Sequence, residues 1–267
     1  MNFSVLYIGD IVGEPGREAV RELLPQLHKE FSPDLVLANP ENATHGRGLN
    51  LKHYEELKSL GIDAFSGGDH IWQFEDLVQA LDKPGMVLAR PANYPKAPGK
   101  GFVDLTVKGK RVRLISLMGR VFMHAQVDSP FQEFDRLVAE YPAPDAVIVD
   151  FHAEATSEKR CLAEYIGERA QLVVGTHTHV PTADAQILPS GTAFISDLGM
   201  TGPQDSSLGA DKNEALKSFL TGLPWRYTLG TGQCELGAIF CTIDFDSRRA
   251  LHIEHIRRFT QNHESHK

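Results

Sequence analysis

A chain of 267 residues, 42% of them hydrophobic, has material for one large α/β domain or two small ones. Its formal net charge of −8 leaves no basic stripe to neutralise a phosphate backbone, so an extended nucleic-acid surface is not expected. No apolar run approaches the roughly 18 residues of a membrane span, the opening Met-Asn-Phe-Ser-Val-Leu-Tyr-Ile reads as a strand rather than a leader, and Cys161, Cys234 and Cys241 lack thiolate-metal spacing, so a soluble cytoplasmic protein is expected.

In chain order, the first half alternates strands with helices. Residues 3–8 read as a strand ending at Gly9-Asp10, and beyond Gly13-Glu-Pro-Gly16 the residues Val20, Leu23, Leu24 and Leu27 recur at helical spacing. Pro25 is expected to kink or restart that helix. Residues 34–38 form a second strand running into Asn39-Pro-Glu41-Asn42. A helix over 53–60 follows, closed by Gly61. Residues 63–70 supply a third strand and its exit loop, and 73–81 a helix striped by Leu77, Val78 and Leu81.

The middle opens with the proline-rich loop Pro91-Ala-Asn-Tyr-Pro-Lys-Ala-Pro-Gly99, and residues 102–107 and 111–117 then flank Lys108-Gly-Lys110 as a hairpin. A helix follows with Phe131, Phe134, Leu137, Val138 and Tyr141 on one face. Residues 146–149 form a buried strand entering Asp150-Phe-His152, and 157–169 a helix. Residues 171–174 form another strand, entering Gly175-Thr-His177-Thr-His179. Extended chain alternates its side chains, so His177 and His179 are expected to point the same way. Toward the end, 185–188 and 192–195 flank Pro189-Ser-Gly191, and 236–243 pairs with 251–255 around Asp246-Ser-Arg-Arg249. With no repeat or clear linker, residues 1–267 read as a single domain with a frayed tail over 261–267.

The metal-capable residues fall in a pattern. Asp10, Glu41, Asp69 with His70, His152, and His177 with His179 each stand just past the carboxyl end of a strand. In open α/β sheets those ends form the crevice where ligands bind. Taken singly, Asp10 or Glu41 could cap a helix and His152 could hydrogen-bond in the interior. Together at one rim they point to a metal centre. One tetrahedral zinc needs three or four protein ligands, fewer than this rim offers. Two ions about 3.5–4 Å apart, bridged by a carboxylate and a hydroxide, accommodate the set better and suit phosphoryl transfer. Imidazole and carboxylate without thiolate suit iron, manganese or zinc, divalent or trivalent, and spacing does not choose among them.

These residues resemble a known family. Asp10, Asn39-x-Glu41-Asn42, Gly-x-His70, His152 and Gly-Thr-His177-x-His179 look like the blocks of the calcineurin-like metallophosphoesterases. Gly9-Asp-Ile-Val-Gly-Glu-Pro-Gly-Arg17, Glu41-Asn-Ala-Thr-His-Gly-Arg-Gly48, Asp150-Phe-His-Ala-Glu-Ala-Thr-Ser-Glu-Lys159 and Ser196-Asp-Leu-Gly-Met-Thr-Gly-Pro203 are similar to the bacterial YmdB-like phosphodiesterases, and the blocks span residues 9 to about 203. The resemblance implies a four-layered α/β/β/α sandwich. It also implies hydrolysis of small phosphodiesters, cyclic nucleotides first, by metal-bridged hydroxide at a di-iron or di-manganese centre. By position, Asp10, Glu41 and His179 would bind one ion, and Glu41, Asp69, His152 and His177 the other. Asn42 would be a ligand or a phosphate donor, and His70 a general acid or a phosphate-binding residue. Asp69 stands where the family usually has Asn, and Pro40 where glycine is commoner.

Further readings stay open. Thr44, His45, Gly46 and Arg47 lie over substrate, with Arg47 as an anion contact, or form a solvated loop. The loop over 91–99 rims the pocket or merely connects layers. Arg120 matches a subfamily block or makes a structural ion pair, and Trp72 is core or a base-stacking platform. Rival functions are a nucleotidase, phosphomonoesterase or protein phosphatase, and a regulatory protein whose metals only hold the fold. His70, not needed as a ligand, favours an enzyme. Assembly into a homo-oligomer stays open.

Overall fold

The computed structural model describes residues 1–224 and 226–261, so the tail expected to fray lies, apart from Gln261, outside the described residues. The first half comprises β1 (Asn2–Ile8), β2 (Asp10–Ile11), α1 (Gly13–Phe31), β3 (Leu35–Ala38), α2 (Leu51–Ser59), β4 (Ala64–Ser66), α3 (Glu75–Val78) and β5 (Leu88–Ala89). The hairpin of β6 (Phe102–Val107) and β7 (Lys110–Met118) follows, then α4 (Pro130–Glu140), β8 (Ala146–His152), α5 (Thr156–Ile166) and β9 (Leu172–Thr176). Last come β10 (Gln186–Ile187), β11 (Ala193–Ile195), β12 (Met200–Pro203), α6 (Lys212–Thr221), and the long hairpin of β13 (Cys234–Asp244) and β14 (Arg249–Phe259).

Two sheets form. One runs β2-β12-β13-β1-β3-β4-β5, with β14 added on β13; the other runs β10-β11-β9-β8-β7-β6. Their centres are parallel, β1-β3-β4-β5 in the first and β7-β8-β9-β11 in the second. Strands covered on both faces bury every side chain, which is why they read as unbroken apolar runs. In β1, Phe3, Val5 and Tyr7 face the second sheet, while Leu6 and Ile8 face α1 and α2. Phe134, Leu137, Leu162 and Ile166 of α4 and α5 cover the outer face of β7, β8 and β9. The layers are therefore helix, sheet, sheet, helix, as the resemblance implied.

Several local expectations change. Helix α1 passes through Pro25 without a break. Pro25 is exposed, so the carbonyl deprived of its amide partner lies on the side of the helix facing water. The 73–81 helix shrinks to the single turn of α3, and α5 hands over to a 3-10 turn at Gly167–Arg169. On α4, Val138 is exposed, and Tyr141 falls just past the helix end, partly in solvent with its ring edge-on to Phe102 at 4.7 Å. The sequence reading also left β2, β12 and α6 unassigned. Helix α6 buries Ala215 and leaves Leu216, Phe219 and Leu220 in solvent, so its apolar period does not mark a core face.

Candidate metal centre

The carboxyl ends of β1, β3 and β4 from one sheet meet those of β8 and β9 from the other, and every carboxylate and imidazole expected at the rim comes to this junction. Asp10 leads β2, whose pairing with β12 fixes it opposite Met200. Neither acid caps a helix: α1 starts from Val12 without a side-chain cap, and α2 is capped by Asn50, whose carbonyl oxygen accepts from the His53 amide at 2.8 Å. Gly68 lets the chain reach the centre, because a Cβ there would stand 2.2 Å from Glu41 Oε2 and 2.3 Å from His152 Nε2.

Three overlapping groups of donors form: Asp10, Glu41 and His152; Glu41, Asp69 and His70; and Asp69, His152 and His177, with the donor atoms of each within 4.8 Å of one another. His152 Nε2 lies 3.1 Å from Glu41 Oε1 and 3.3 Å from Asp69 Oδ1. His177 Nδ1 stands 3.1 Å from His152 Nε2, and its backbone amide donates to Asp10 Oδ2 at 3.1 Å. His179 lies outside the three groups and joins through Asn42, whose Nδ2 is 3.3 Å from His179 Nε2 and 3.3 Å from Glu41 Oε1. His70 Nδ1 meets the Asn42 Oδ1 acceptor at 3.0 Å, and the His70 amide donates to Glu41 Oε2 at 3.2 Å.

The expected strand alternation of His177 and His179 does not hold. Strand β9 ends at Thr176, and both histidines adopt left-handed backbone, φ 100° and 65°. The two rings consequently serve different parts of the centre, His177 beside His152 and His179 beside Asn42.

Which ring nitrogen faces inward follows from the outer partners. Thr176 Oγ1 donates to Asp150 Oδ1 at 2.7 Å, so it accepts from His152 Nδ1 at 2.9 Å and leaves His152 Nε2 turned toward Glu41 and Asp69. His179 Nδ1 donates to the Leu208 carbonyl at 2.9 Å. His177 Nε2 faces Glu154 Oε2 at 3.2 Å. Three imidazoles thus spend their outer N–H on protein acceptors and turn the other ring nitrogen inward, the arrangement by which second partners prepare histidines for a metal. Asp10 Oδ1 and Asp69 Oδ1 are buried there without a hydrogen-bond partner. Buried carboxylate oxygens left unpaired are costly unless a cation completes them. Nitrogen and oxygen donors in this number suit divalent metal ions.

The electrostatics of the bare site agree. Burial raises the Asp10 carboxyl to about 6, partly offset by His179 and His152. Burial also acts on Glu41, but the charges and hydrogen bonds of His152 and His70 outweigh it and hold Glu41 well below the usual range. Burial, with the neighbouring His152 charge, lowers His177 to about 4. For His70, contact with Glu41 and the charge of Asp69 overcome burial and raise the ring above its usual value.

A buried polar network supports the ligands from behind. Asp150 Oδ2 accepts from Asn39 Nδ2 at 3.2 Å and from the Ser66 hydroxyl, which in turn accepts from Tyr7 at 2.8 Å. Sequence reasoning quoted Asp150 and Asn39 inside motifs but gave them no role. A carboxylate inside the apolar run of β8 was a readable sign that partners would be needed.

The weaker candidates separate. Thr44 is buried, its hydroxyl bonded to His53 Nδ1 at 2.7 Å and to the Asn50 amide at 3.0 Å, which makes it structural. His45 and Arg47 are exposed, and the Arg47 charge acts on His70, which places it toward the rim. Trp72 is half-buried: its ring packs against Tyr94 at 4.5 Å and its Nε1 donates to the Pro98 carbonyl at 3.1 Å, tying down the loop over 91–99. Glu158 accepts from the backbone amides of Arg120 and Val121, so the structural ion pair weighed for the Arg120 guanidinium is not what holds that turn.

Comparison with known proteins identifies the family and supports the fold. A sequence model described as YmdB-like protein matches residues 6–256. The chain is 45% identical over 255 residues to a 2',3'-cyclic-nucleotide 2'-phosphodiesterase of Bacillus subtilis, covering 94% of this chain and 96% of that one. A crystal structure of a hypothetical protein from Thermus thermophilus superposes with TM-score 0.90 at 41% identity, covering 97% of this chain and all of that one. A phosphatase structure from Mycoplasma pneumoniae gives 0.92 at 32%, covering 98% and 95%.

Proposed function

The chain belongs to the YmdB-like family, and from that premise we propose that it hydrolyses 2',3'-cyclic nucleotides at a centre of two metal ions. The observation that carries this reading is the convergence of three inward imidazole nitrogens with two unpartnered buried carboxylate oxygens. Asp10, Glu41 and His179 would hold one ion, and Glu41, Asp69, His152 and His177 the other. Iron or manganese fits this hard and borderline donor set, with zinc the third choice. When bound, such a pair supplies positive charge for the phosphoryl oxygens and a hydroxide at neutral pH.

The protein's own groups do the rest. Asn42 spans His70 and His179 and offers its amide N–H to a phosphate oxygen. His70, raised in pKa by Glu41 and Asp69 against burial, carries a proton to the departing ribose oxygen. Arg47 lies on the approach as an anion contact. No helix is long and apolar enough to cross a membrane among the described residues. The unpaired Cys161, Cys234 and Cys241 fit a reducing, cytoplasmic setting.

A phosphomonoesterase is the second reading, favoured by the phosphatase name of the Mycoplasma relative. Turnover of 2',3'-cyclic AMP and bis-p-nitrophenyl phosphate should exceed that of p-nitrophenyl phosphate by at least an order of magnitude. The reverse ratio would remove the diesterase reading.

A further inference from the structure

Two adjacent ligands in left-handed backbone need something to hold them there, because side chains oppose that conformation. Between His177 and His179 lies Thr178, whose amide donates to Asp197 Oδ2 at 3.1 Å. The same oxygen receives Lys159 Nζ at 2.7 Å, and Asp197 Oδ1 accepts from the Gly199 amide at 2.9 Å. The backbone adds the Thr182 amide to the Asp197 carbonyl at 3.1 Å and the Met200 amide to the His179 carbonyl at 3.2 Å. The histidine loop is therefore bedded on the turn around Asp197.

Lys159 and Asp197 are 2% and 1% exposed, and theirs is the one Lys or Arg ion pair buried on both sides among the described residues. Lys159 reaches Asp197 from α5 beneath Gly175, where a Cβ would stand 2.9 Å from Lys159 Cδ and 1.7 Å from the Ser196 carbonyl. Apolar side chains could fill this space without the desolvation of two charges. They would leave the Thr178 and Gly199 amides without acceptors. The lysine keeps the carboxylate from burying a net charge behind the centre.

We infer that Asp197, neutralised by Lys159, is a positioning residue for both metal positions at once. This rests on the assignment of His177 to one ion and His179 to the other. Each of the two histidines belongs to one ion, but Thr178 sits between them, so its acceptor sets the reach of both rings.

The test is titration of metal-free protein with Mn²⁺, read by calorimetry and by bound metal after dialysis. Wild type, His179→Ala, Asp197→Asn and the double variant Lys159→Met/Asp197→Asn are compared. Wild type is expected to take two ions and His179→Ala to lose one while keeping the other. Asp197→Asn leaves one acceptor oxygen for the Thr178 and Gly199 amides that the carboxylate serves with two, and the double variant removes the lysine left unpaired and its pull on that oxygen. In both, the two ions should weaken together, by about ten- to a hundredfold. If the double variant does not fold, Asp197→Asn alone, which keeps the volume and the Oδ1 acceptor, gives the reading. Lower thermal stability with unchanged affinities would make the pair purely structural and overturn the inference, as would weakening of one ion only. A wild-type chain that takes up no metal would overturn the metal centre itself and this inference with it.

Discussion

His152 Nε2 and His177 Nδ1 face each other at 3.1 Å, while Thr176 and Glu154 occupy the opposite nitrogens of the two rings. Two lone pairs at that distance repel unless a proton or a cation lies between or in front of them. In metal-free protein a proton on His152 Nε2 fills that gap, because contacts with Glu41 and Asp69 overcome burial and hold His152 well above its usual value, while burial and that charge lower His177 to about 4. A metal ion satisfies both nitrogens and the unpartnered oxygen of Asp69 together.

Metal should therefore act as a folding ligand. Reconstitution with Mn²⁺ or Fe²⁺ is expected to yield two ions per chain by elemental analysis. At a hundredfold excess over Kd each ion adds about 2.7 kcal/mol to the native state, so chelation should lower Tm by several degrees. One ion or fewer per chain would contradict the paired site.

Asp10 illustrates the strain that the bare site carries. Its folded value of about 6 lies above the ordinary 3.8. Between those values the folded chain keeps a proton that the unfolded chain has lost, so metal-free protein loses stability as pH rises from about 4 to about 6. The loss, on the order of 2–3 kcal/mol, persists at higher pH. Asp10→Asn should raise the Tm of metal-free protein at pH 8 and change it little at pH 4, while weakening metal binding. A lower Tm for the variant at pH 8 would argue against unrelieved burial of this carboxylate.

For His70, the expected signature is a leaving-group dependence. His70→Ala should keep both metals yet lose about 10²–10⁴-fold in kcat on cyclic nucleotides, whose alkoxide needs a proton. The loss should be much smaller on bis-p-nitrophenyl phosphate, whose phenolate leaves unaided. Equal losses on both would make His70 a binding residue.

Asp69 faces into the centre, with Oδ1 3.3 Å from His152 Nε2, rather than away to cap a helix. As a carboxylate it should bind metal more firmly than an asparagine in its place. Asp69→Asn should need more Mn²⁺ for half-maximal activity, and at saturating metal the rise of kcat with pH should move to lower pH, since less negative charge surrounds the ions. An unchanged Mn²⁺ midpoint would remove Asp69 from the ligand set.

Much of this protein was legible in its sequence because the relevant signals are local. Unbroken apolar runs gave the parallel strands, helical spacing gave α1 and α4, and the metal-capable residues stood where strands end. Asp10, Glu41, Asp69, His70, His152, His177 and His179 needed only that registration to be gathered at one rim. Short strands such as β2 and β12 escaped because two to four residues carry no measurable period.

Tertiary structure decided the orientation of each group. The alternation expected for His177 and His179 failed because their loop takes its shape from Asp197 and Met200, which follow them beyond strands β10 and β11. Which imidazole nitrogen faces the centre depends on Glu154, Thr176 and Leu208, brought there by the loop before α5, by β9 and by the turn before α6. Residue type fixes which donors exist and strand period fixes where the chain delivers them. The direction of a lone pair is fixed by a hydrogen bond to a residue remote in sequence, and only the folded chain contains that bond.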